Sequence, residues 1–546
     1  MAKKSSTLPL NLHEPRQGVP LYRWLYDELR SAILAGSLRP GARLPATRDL
    51  AAQYKLSRPT IVSAFEQLRS EGYVEGKVGS GTYVSQTLPE ELLQAPRTGS
   101  GEGARRRQIR LSAYARRLRA LFQDSEGEAT SGARARNEKK GRDAALKRST
   151  QDLRSSAALG GMPFPGHTQQ RAVLQAPASQ SRRARAFRAD QPALDAFPAD
   201  LWAQVATRRL RRVSANLLAG GDALGYRPLR EAVADYLNGA RAVNCSADQV
   251  LIISGVQQAL DRAAHLLLDP GDPVWLEEPG YPGAALTFRA VGAKICPVPV
   301  DAEGLDLEAG ERRWPAPRLV YVSPAHQFPL GVTMSLRRRL SLLEWARRSH
   351  TFVFEDDYDS EYRYSGRPIP SLQGLDHASV VIFAGSFTDV LFPALRLGYL
   401  VVPPDMVDIF AAAESVSTQH PPLIDQAILC DFIREGHFAR HVRRMRELYA
   451  ERLSVLVESA REKLAGLLEL SSVEAGLRTV GWLQAGVSAE RAAQAAAKRE
   501  VEVLPLSRCA YGRSPGNGLV LGFAAVDGKE LRRGVEELAR VLEGCG

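Results

Sequence analysis

From Val250 onward the chain repeats one unit: a short apolar run rich in β-branched and aromatic residues, followed by a stretch with helical spacing. The runs are Val250-Leu-Ile-Ile-Ser254, Val274-Trp-Leu, Leu319-Val-Tyr-Val322, Thr351-Phe-Val-Phe354, Val380-Val-Ile-Phe383 and Gly398-Tyr-Leu-Val-Val402. Continuous apolar runs, rather than alternating ones, suit strands covered on both faces. Strands joined through helices form a mostly parallel sheet with helices on both sides, so the C-terminal part is expected to be an α/β domain. On such a sheet ligands bind outside the carboxyl ends of the strands.

Those strand ends carry polar and aromatic elements. Ser254-Gly-Val-Gln-Gln-Ala-Leu260 follows a strand and opens a helix, so the amides of Val256 and Gln257 are free to cradle a phosphate. Glu277-Glu-Pro-Gly-Tyr281 places an aromatic ring suited to stacking on a pyridine. Glu355-Asp356-Asp-Tyr358-Asp-Ser-Glu follows an apolar run. A carboxylate there can hold a pyridine nitrogen protonated, although the same run also suits a solvated turn or a cation site. Tyr321-Val-Ser-Pro-Ala-His326-Gln-Phe-Pro-Leu-Gly331 reads as a polar turn.

The N-terminal segment has a different pattern. Leu21, Leu25, Leu29, Ile33 and Leu34 form a helical stripe, with Gly36 as its C-cap. Leu38-Arg-Pro-Gly-Ala-Arg-Leu-Pro45 is a turn, and Thr47 caps a second helix over 48–54. Ser57 caps a third over 58–71, with Pro59 in its first turn. Residues 72–84 alternate like a hairpin with a Gly79-Ser-Gly81 tip. Three short helices and a two-stranded wing make a winged helix-turn-helix. Ser57, Arg58 and Thr60 then face phosphates and base edges of double-stranded DNA. Arg48 clamps the backbone, and Gly79 lets the wing tip approach closely.

Between the two lies residues 97–188, with 21 Lys and Arg against 7 Asp and Glu, while residues 189–546 carry a net −6. This basic, Ser-, Ala- and Gly-rich stretch reads as a largely disordered tether that can also attract DNA phosphates. One piece, Ile109 to Phe122, has Leu111, Tyr114, Leu118, Leu121 and Phe122 at helical spacing and is expected to dock as a short helix. The expected boundaries are 17–86 for the DNA-binding domain, 87–188 for the linker and 189–546 for the α/β domain. Five scattered cysteines show neither metal nor disulfide spacing, which points to a reducing cytoplasm. No apolar run has membrane-span length, and no partner membrane is expected.

Several of these motifs are those of known families. Leu38-Arg-Pro-Gly, Leu44-Pro-Ala-Thr-Arg48-Asp-Leu-Ala, Ser57-Arg-Pro-Thr-Ile and Gly79-Ser-Gly-Thr-Tyr-Val84 resemble the GntR-type winged helix. The strand-end elements, with Gly385-Ser-Phe-Thr-Asp389-Val-Leu-Phe-Pro-Ala-Leu-Arg396-Leu-Gly398, resemble fold-type I aminotransferases, the pyridoxal-phosphate-dependent transferase fold. Fused in this order they resemble the MocR (GabR-like) class of transcriptional regulators, which implies a head-to-tail homodimer. By position the resemblance implies that Asp356 faces the pyridine nitrogen, Tyr358 the ring hydroxyl and Tyr281 the ring face. Val256 and Gln257 take the phosphate, and Arg396 lies at its edge or at an effector carboxylate.

Three departures stand out. The family's Ser-Lys is Thr388-Asp389 here, and only an amine can form a Schiff base. The four lysines after residue 190 (Lys294, Lys463, Lys498, Lys529) stand in no motif that could replace it. Gly518-Leu-Val-Leu-Gly-Phe-Ala524 lacks the arginine with which aminotransferases clamp a carboxylate, and the linker is long. The expected protein is therefore a DNA-binding regulator with a degenerate, non-catalytic aminotransferase-like domain and no metal. It would hold pyridoxal phosphate or pyridoxamine phosphate non-covalently, the latter through an ammonium at Asp389, and would respond to a small-molecule effector. The alternatives are an active aminotransferase and a regulator of an unrelated ligand.

Overall fold

The structure is a computed structural model. It describes residues 21–34, 37–39, 41–45, 47–54, 56–57, 60–62, 64–65, 68, 74–77, 81–84, 110–120, 184–189, 191–364, 370–512 and 516–544. The N-terminal unit contains α1 (Leu21–Leu34), α2 (Thr47–Tyr54), helical residues at 60–62, 64–65 and 68, and the antiparallel pair β1 (Val74–Lys77) and β2 (Gly81–Val84). Leu25, Leu29 and Ile33 project from one face of α1 because they recur every fourth residue. They meet Leu50, Ile61, Phe65, Leu68, Val74 and Val84 in one core. Leu21, counted in the stripe, is instead exposed, and Trp24 takes its place, edge-on to Tyr54. The chain at 41–44 runs along β2, with Leu44 N donating to Thr82 O and Val84 N to Ala42 O, so the wing gains a third edge.

The large sheet is built from β3 (Val250–Ile253), β4 (Pro273–Glu278), β5 (Lys294–Asp301), β6 (Gly304–Leu305), β7 (Leu319–Val322), β8 (Phe352–Asp357), β9 (Val381–Ser386) and β10 (Gly398–Val401). Their spatial order is β3-β10-β9-β8-β7-β4-β5-β6. The pairs from β5 to β9 are parallel, whereas β10 runs antiparallel to both β9 and β3. Every residue of β3, β7, β8 and β10 is buried, as continuous apolar runs require. The Val256–Leu267 helix lies on one face, burying Ala259, Leu260, Ala263, Ala264 and Leu267 at helical spacing. Each buried leucine contributes roughly 1.5–3 kcal/mol. β5 went unrecognised in the sequence because Pro297 and Pro299 interrupt it; it tolerates them because only the two-residue β6 pairs with its outer edge.

A second sheet, β11 (Leu468–Leu470), β12 (Arg478–Leu483), β13 (Leu504–Pro505) and β14 (Gly518–Gly522), is antiparallel in the order β11-β12-β14-β13. Helices His437–Lys463, Ala489–Ala497 and Gly528–Glu543 cover it. Residues before 189 contribute here too: Ala186 bridges to Val501, and Phe187 pairs with Gly522.

The segment 110–120 packs on the large-sheet core. Its residues 113–120 are helical, and Leu111, Ala115 and Leu118 bury against the C-terminal end of the Val256–Leu267 helix. Ser112 N donates to Leu266 O (2.9 Å), Ala113 N to Asp269 Oδ1 (2.7 Å), and the Ser112 hydroxyl to His265 O. No helix among the described residues is long and apolar enough to cross a membrane.

Candidate functional site

The carboxyl ends of β3, β9 and β8 and the start of β10 meet at one edge of the large sheet, because Gly398 pairs with both Ile253 and Ser386, and Gly385 with Asp357. Beyond β3, Gly255 (φ +96°) turns the chain into the Val256–Leu267 helix. Its carbonyl accepts from the amides of Gln258 and Ala259, leaving the amides of Val256 and Gln257 ahead of the helix's own bonding. Arg396, exposed and in the left-handed region (φ +49°), donates from Nη2 to Ser254 O at 2.9 Å. The turn therefore presents orphan amides and a guanidinium together, an anion-seeking pole. Gly398 is required for it: a Cβ there would lie 2.8 Å from Gly385 O and 3.1 Å from Gly255 Cα.

Tyr281 stands beside this turn. Its hydroxyl donates to Gln257 Oε1 (3.1 Å), and the Gln257 amide in turn donates to Thr287 Oγ1 and Gly283 O. The Gln257 side chain thus locks the Tyr281 ring rather than pointing at a ligand, and only the Gln257 backbone remains for an anion. Phe328 packs edge-on against Tyr281, 5.8 Å between centroids.

The end of β8 is acidic and dry. Asp356 is 4% exposed, and its Oδ2 accepts from the Tyr321 hydroxyl at 2.6 Å. Burial pushes its carboxyl up to about 7; the Tyr321 bond opposes this, and the charges of Asp357, Asp389 and Asp359 add to it. Glu277, on β4, is likewise pushed up to about 7 by burial, although Ser323 and Gln327 bond to it. A buried carboxylate among other carboxylates favours an incoming cation. Asp357 already has one, Arg241 at 2.6 Å. Tyr358 donates its hydroxyl to His326 O (2.6 Å), and His326 Nδ1 lies 3.0 Å from Asp359.

Asp389 lies one turn beyond β9, where Thr388 N bonds to Ser386 Oγ. Opposite it is Arg478, the first residue of β12, whose Nη2 comes within 3.8 Å of Asp389 Oδ2. The guanidinium carbon sits 5.1 Å from the ring centroids of both Phe328 and Tyr358. Lys294 starts β5, at the far end of the sheet; Lys463 ends a helix, and Lys498 and Lys529 lie in or beside helices of the second-sheet region. No group of metal-ligating side chains is found among the described residues.

Comparison with known proteins places this geometry. Residues 196–538 match the family Aminotransferase class I and II, and residues 21–84 match Bacterial regulatory proteins, gntR family. The chain is 37% identical, over 95% of its length and 93% of the relative's, to the probable rhizopine catabolism regulatory protein MocR of Rhizobium meliloti. The chain belongs to the MocR family of GntR-type transcriptional regulators. It is also 26% identical to the pyridoxine biosynthesis transcriptional regulator PdxR of Corynebacterium glutamicum, over 97% of each chain. Among solved structures it is similar to the α-aminoadipate aminotransferase LysN of Thermus thermophilus, complexed with N-(5'-phosphopyridoxyl)-L-leucine. There the TM-score is 0.63 and identity 30%, over 69% of this chain and 95% of that one.

In this MocR-family chain the DNA-facing residues expected from sequence are only partly described. Ser57 Oγ lies 2.7 Å from Thr60 Oγ1 and accepts from Thr60 N at 3.3 Å, so Ser57 caps the third helix. Arg48 is in α2. Arg58 and Gly79 lie outside the described residues, as does the Gly36 cap. Sequence reasoning missed Arg478, Tyr321 and Phe328 as members of the site. The available signal for Arg478 was a lone cation in the apolar run Gly476-Leu-Arg-Thr-Val480.

Proposed function

We propose that this regulator senses a B6 vitamer held without a covalent bond, in a domain that has kept the aminotransferase pocket and lost its nucleophile. The observation that carries the reading is Asp389, a carboxylate three residues past β9, where the motif order calls for a lysine. The remaining residues fit a phosphorylated pyridine. The Val256 and Gln257 amides with Arg396 suit the phosphate, Tyr281 the ring face, and Asp356 a protonated ring nitrogen, while the Tyr358 hydroxyl, its proton given to His326 O, is left to accept from the ring hydroxyl. Such a cofactor, when bound to an enzyme lysine, supplies an electron sink for chemistry at an amino acid's α-carbon. Here the residues bind and orient only, and the domain is not catalytic.

Asp389 selects among vitamers. A carboxylate attracts an ammonium and offers nothing to an aldehyde, so pyridoxamine phosphate is the preferred form. The DNA side of the proposal assigns Arg48, Ser57, Arg58, Thr60 and Gly79 to an operator in double-stranded DNA. The organisation is a reading head at 17–86, a basic linker at 87–188 and a sensing domain at 189–546, working in the cytoplasm. Two copies pair head to tail. Leu218 and Ile424 are exposed on segments that meet at Gly221 and Leu423, and such an apolar pair supports the pairing of two copies.

Titration calorimetry of the full chain with the two vitamers tests the reading. Pyridoxamine phosphate is expected to bind about tenfold or more tighter than pyridoxal phosphate, one charge-assisted contact's worth. Borohydride treatment with pyridoxal phosphate is expected to leave the protein mass unchanged. Equal affinities, or a borohydride-fixed adduct, would overturn it.

A further inference from the structure

We infer that residues 110–120 anchor the DNA-binding unit to the α/β domain. The leash that sets the reach of that unit is then 85–109 alone, and 121–183 connects two points of the same α/β domain. This rests on the reading of the N-terminal unit as the part that meets DNA, but its test uses neither DNA nor a vitamer.

The first support is the end of the Val256–Leu267 helix, which the anchor completes. A helix leaves its last carbonyls without partners inside it. Ala264 O is met by Leu268 N, and Leu267 O by Arg318 Nε at 3.2 Å. The two between them, His265 O and Leu266 O, accept from the hydroxyl and the amide of Ser112, which is 1% exposed. The exchange is reciprocal. Ser112 Oγ accepts from Ala115 N at 3.0 Å and Asp269 Oδ1 from Ala113 N at 2.7 Å, so each partner caps the other's helix end.

The second support is apolar burial. Leu111, Ala115 and Leu118 recur at helical spacing, are all buried, and join the core that contains Leu260, Leu266 and Phe288. Tyr114 stands edge-on to His265, 5.8 Å between centroids. Arg110 and Arg116 come only within 4.0 Å of Asp272 and Asp269, and their side chains are more than half exposed. Such ion pairs hold little. Caps and packing hold the segment.

The third support is where the chain goes on either side. Val84 ends the wing and Arg110 opens the anchor, which leaves the 25 residues 85–109 between them. Beyond 183 the chain is fixed again: Ala186 bridges to Val501, Phe187 pairs with Gly522, and Arg188 Nε donates to Glu502 at 2.7 Å. The basic stretch is therefore two connections, of which only the first separates the two units. Fully extended, 25 residues span about 80–90 Å, whereas the 99 residues 85–183 would span about 330–360 Å. At about 3.4 Å per base pair, the anchor confines each DNA-binding unit to about 25 base pairs from its own seat rather than about 100. The leash also starts at the far end of the helix whose first amides, those of Val256 and Gln257, face the anion turn. That helix has 12 residues, so the two ends lie about 18 Å apart.

The test measures resonance energy transfer in the full-length protein between dyes on Gln53→Cys and Ala290→Cys, both exposed positions, one in each unit. Cys545 is replaced by serine, and the other four cysteines are buried. Labelled chains are diluted into unlabelled ones, so each dye pair lies within one chain. About 40 Gly and Ser residues inserted after Gly101 add about 30–40 Å in quadrature and are expected to halve the transfer, roughly. The same insertion after Gly160 is expected to leave transfer within about a tenth of its original value. In a Leu111→Asp, Leu118→Asp protein the anchor is released, and the Gly160 insertion is then expected to lower transfer as well. If that double variant does not fold, the two insertions in the otherwise native chain decide the matter. Equal losses from both insertions would overturn the anchor, and so would no loss from either.

Discussion

Replacing Asp356 with asparagine should stabilise the aminotransferase-like domain at alkaline pH and weaken its hold on a cationic ring. The carboxyl is buried and is pushed from the ordinary 3.8 to about 7, first by burial and then by the charges of Asp357, Asp389 and Asp359. The folded protein therefore keeps this proton to a higher pH than the unfolded chain does. The stability associated with the group is fully present below about pH 4 and is lost as pH rises to about 7. Each tenfold preference is worth about 1.4 kcal/mol, so ionising Asp356 alone costs about 4 kcal/mol by pH 8. Glu277, also pushed up to about 7, shares part of that repulsion, which lowers the expectation to about 2–4 kcal/mol. Asparagine retains a carbonyl to accept from Tyr321 and brings no charge. Urea unfolding can be followed by tryptophan fluorescence, since five of the six tryptophans lie after residue 200. The variant should gain about 2–4 kcal/mol at pH 8 and less than about 1 kcal/mol at pH 4. An equal shift at both pH values, or a loss at pH 8, would refute the assignment of Asp356 as a carboxylate strained by burial.

Four further outcomes are expected. Asp389→Lys should give the folded protein a visible absorbance band with pyridoxal phosphate; a colourless, folded variant would mean Asp389 is misplaced in the pocket. Arg48→Ala should weaken DNA binding evenly across sequences and reduce the salt dependence of log affinity by about one unit of slope, and an unchanged slope would remove Arg48 from the phosphate contacts. Leu118→Ala, at a site 4% exposed, should cost about 2 kcal/mol or more of packing and expose 110–120 to limited proteolysis; an unaltered digestion pattern would count against docking. Gly398→Ala forces a Cβ to within 2.8 Å of Gly385 O and should cost about 1–3 kcal/mol in thermal unfolding, with loss of phosphate-dependent binding. Wild-type behaviour in both would show that the glycine contact is dispensable.

Much of this was legible in the chain itself. Six strands announced themselves because both faces are buried, which leaves no polar alternation to blur the pattern. β5 was hidden by its prolines, and the second sheet by its short strands, two of which have three residues or fewer. The helix at 113–120 was legible from its apolar spacing although it sits in a basic, low-complexity stretch. Gln257 shows the limit: its position beside a phosphate turn can be read from the motif, but its side chain is committed to Tyr281 and Thr287.

The order of residues along the chain determined which chemistry is available: an aspartate just past β9, an anion-seeking turn, an acidic strand end and a winged helix ahead of them. That follows because strand-to-helix turns and caps are local and are decided by neighbours in sequence. Only the tertiary structure decided that Arg478, 89 positions after Asp389 and on another sheet, closes the same site. Its approach depends on how the 474–478 segment pairs with the chain after β8, and on which aromatic faces happen to flank the guanidinium. Long-range packing of that kind leaves no periodicity in the sequence to read.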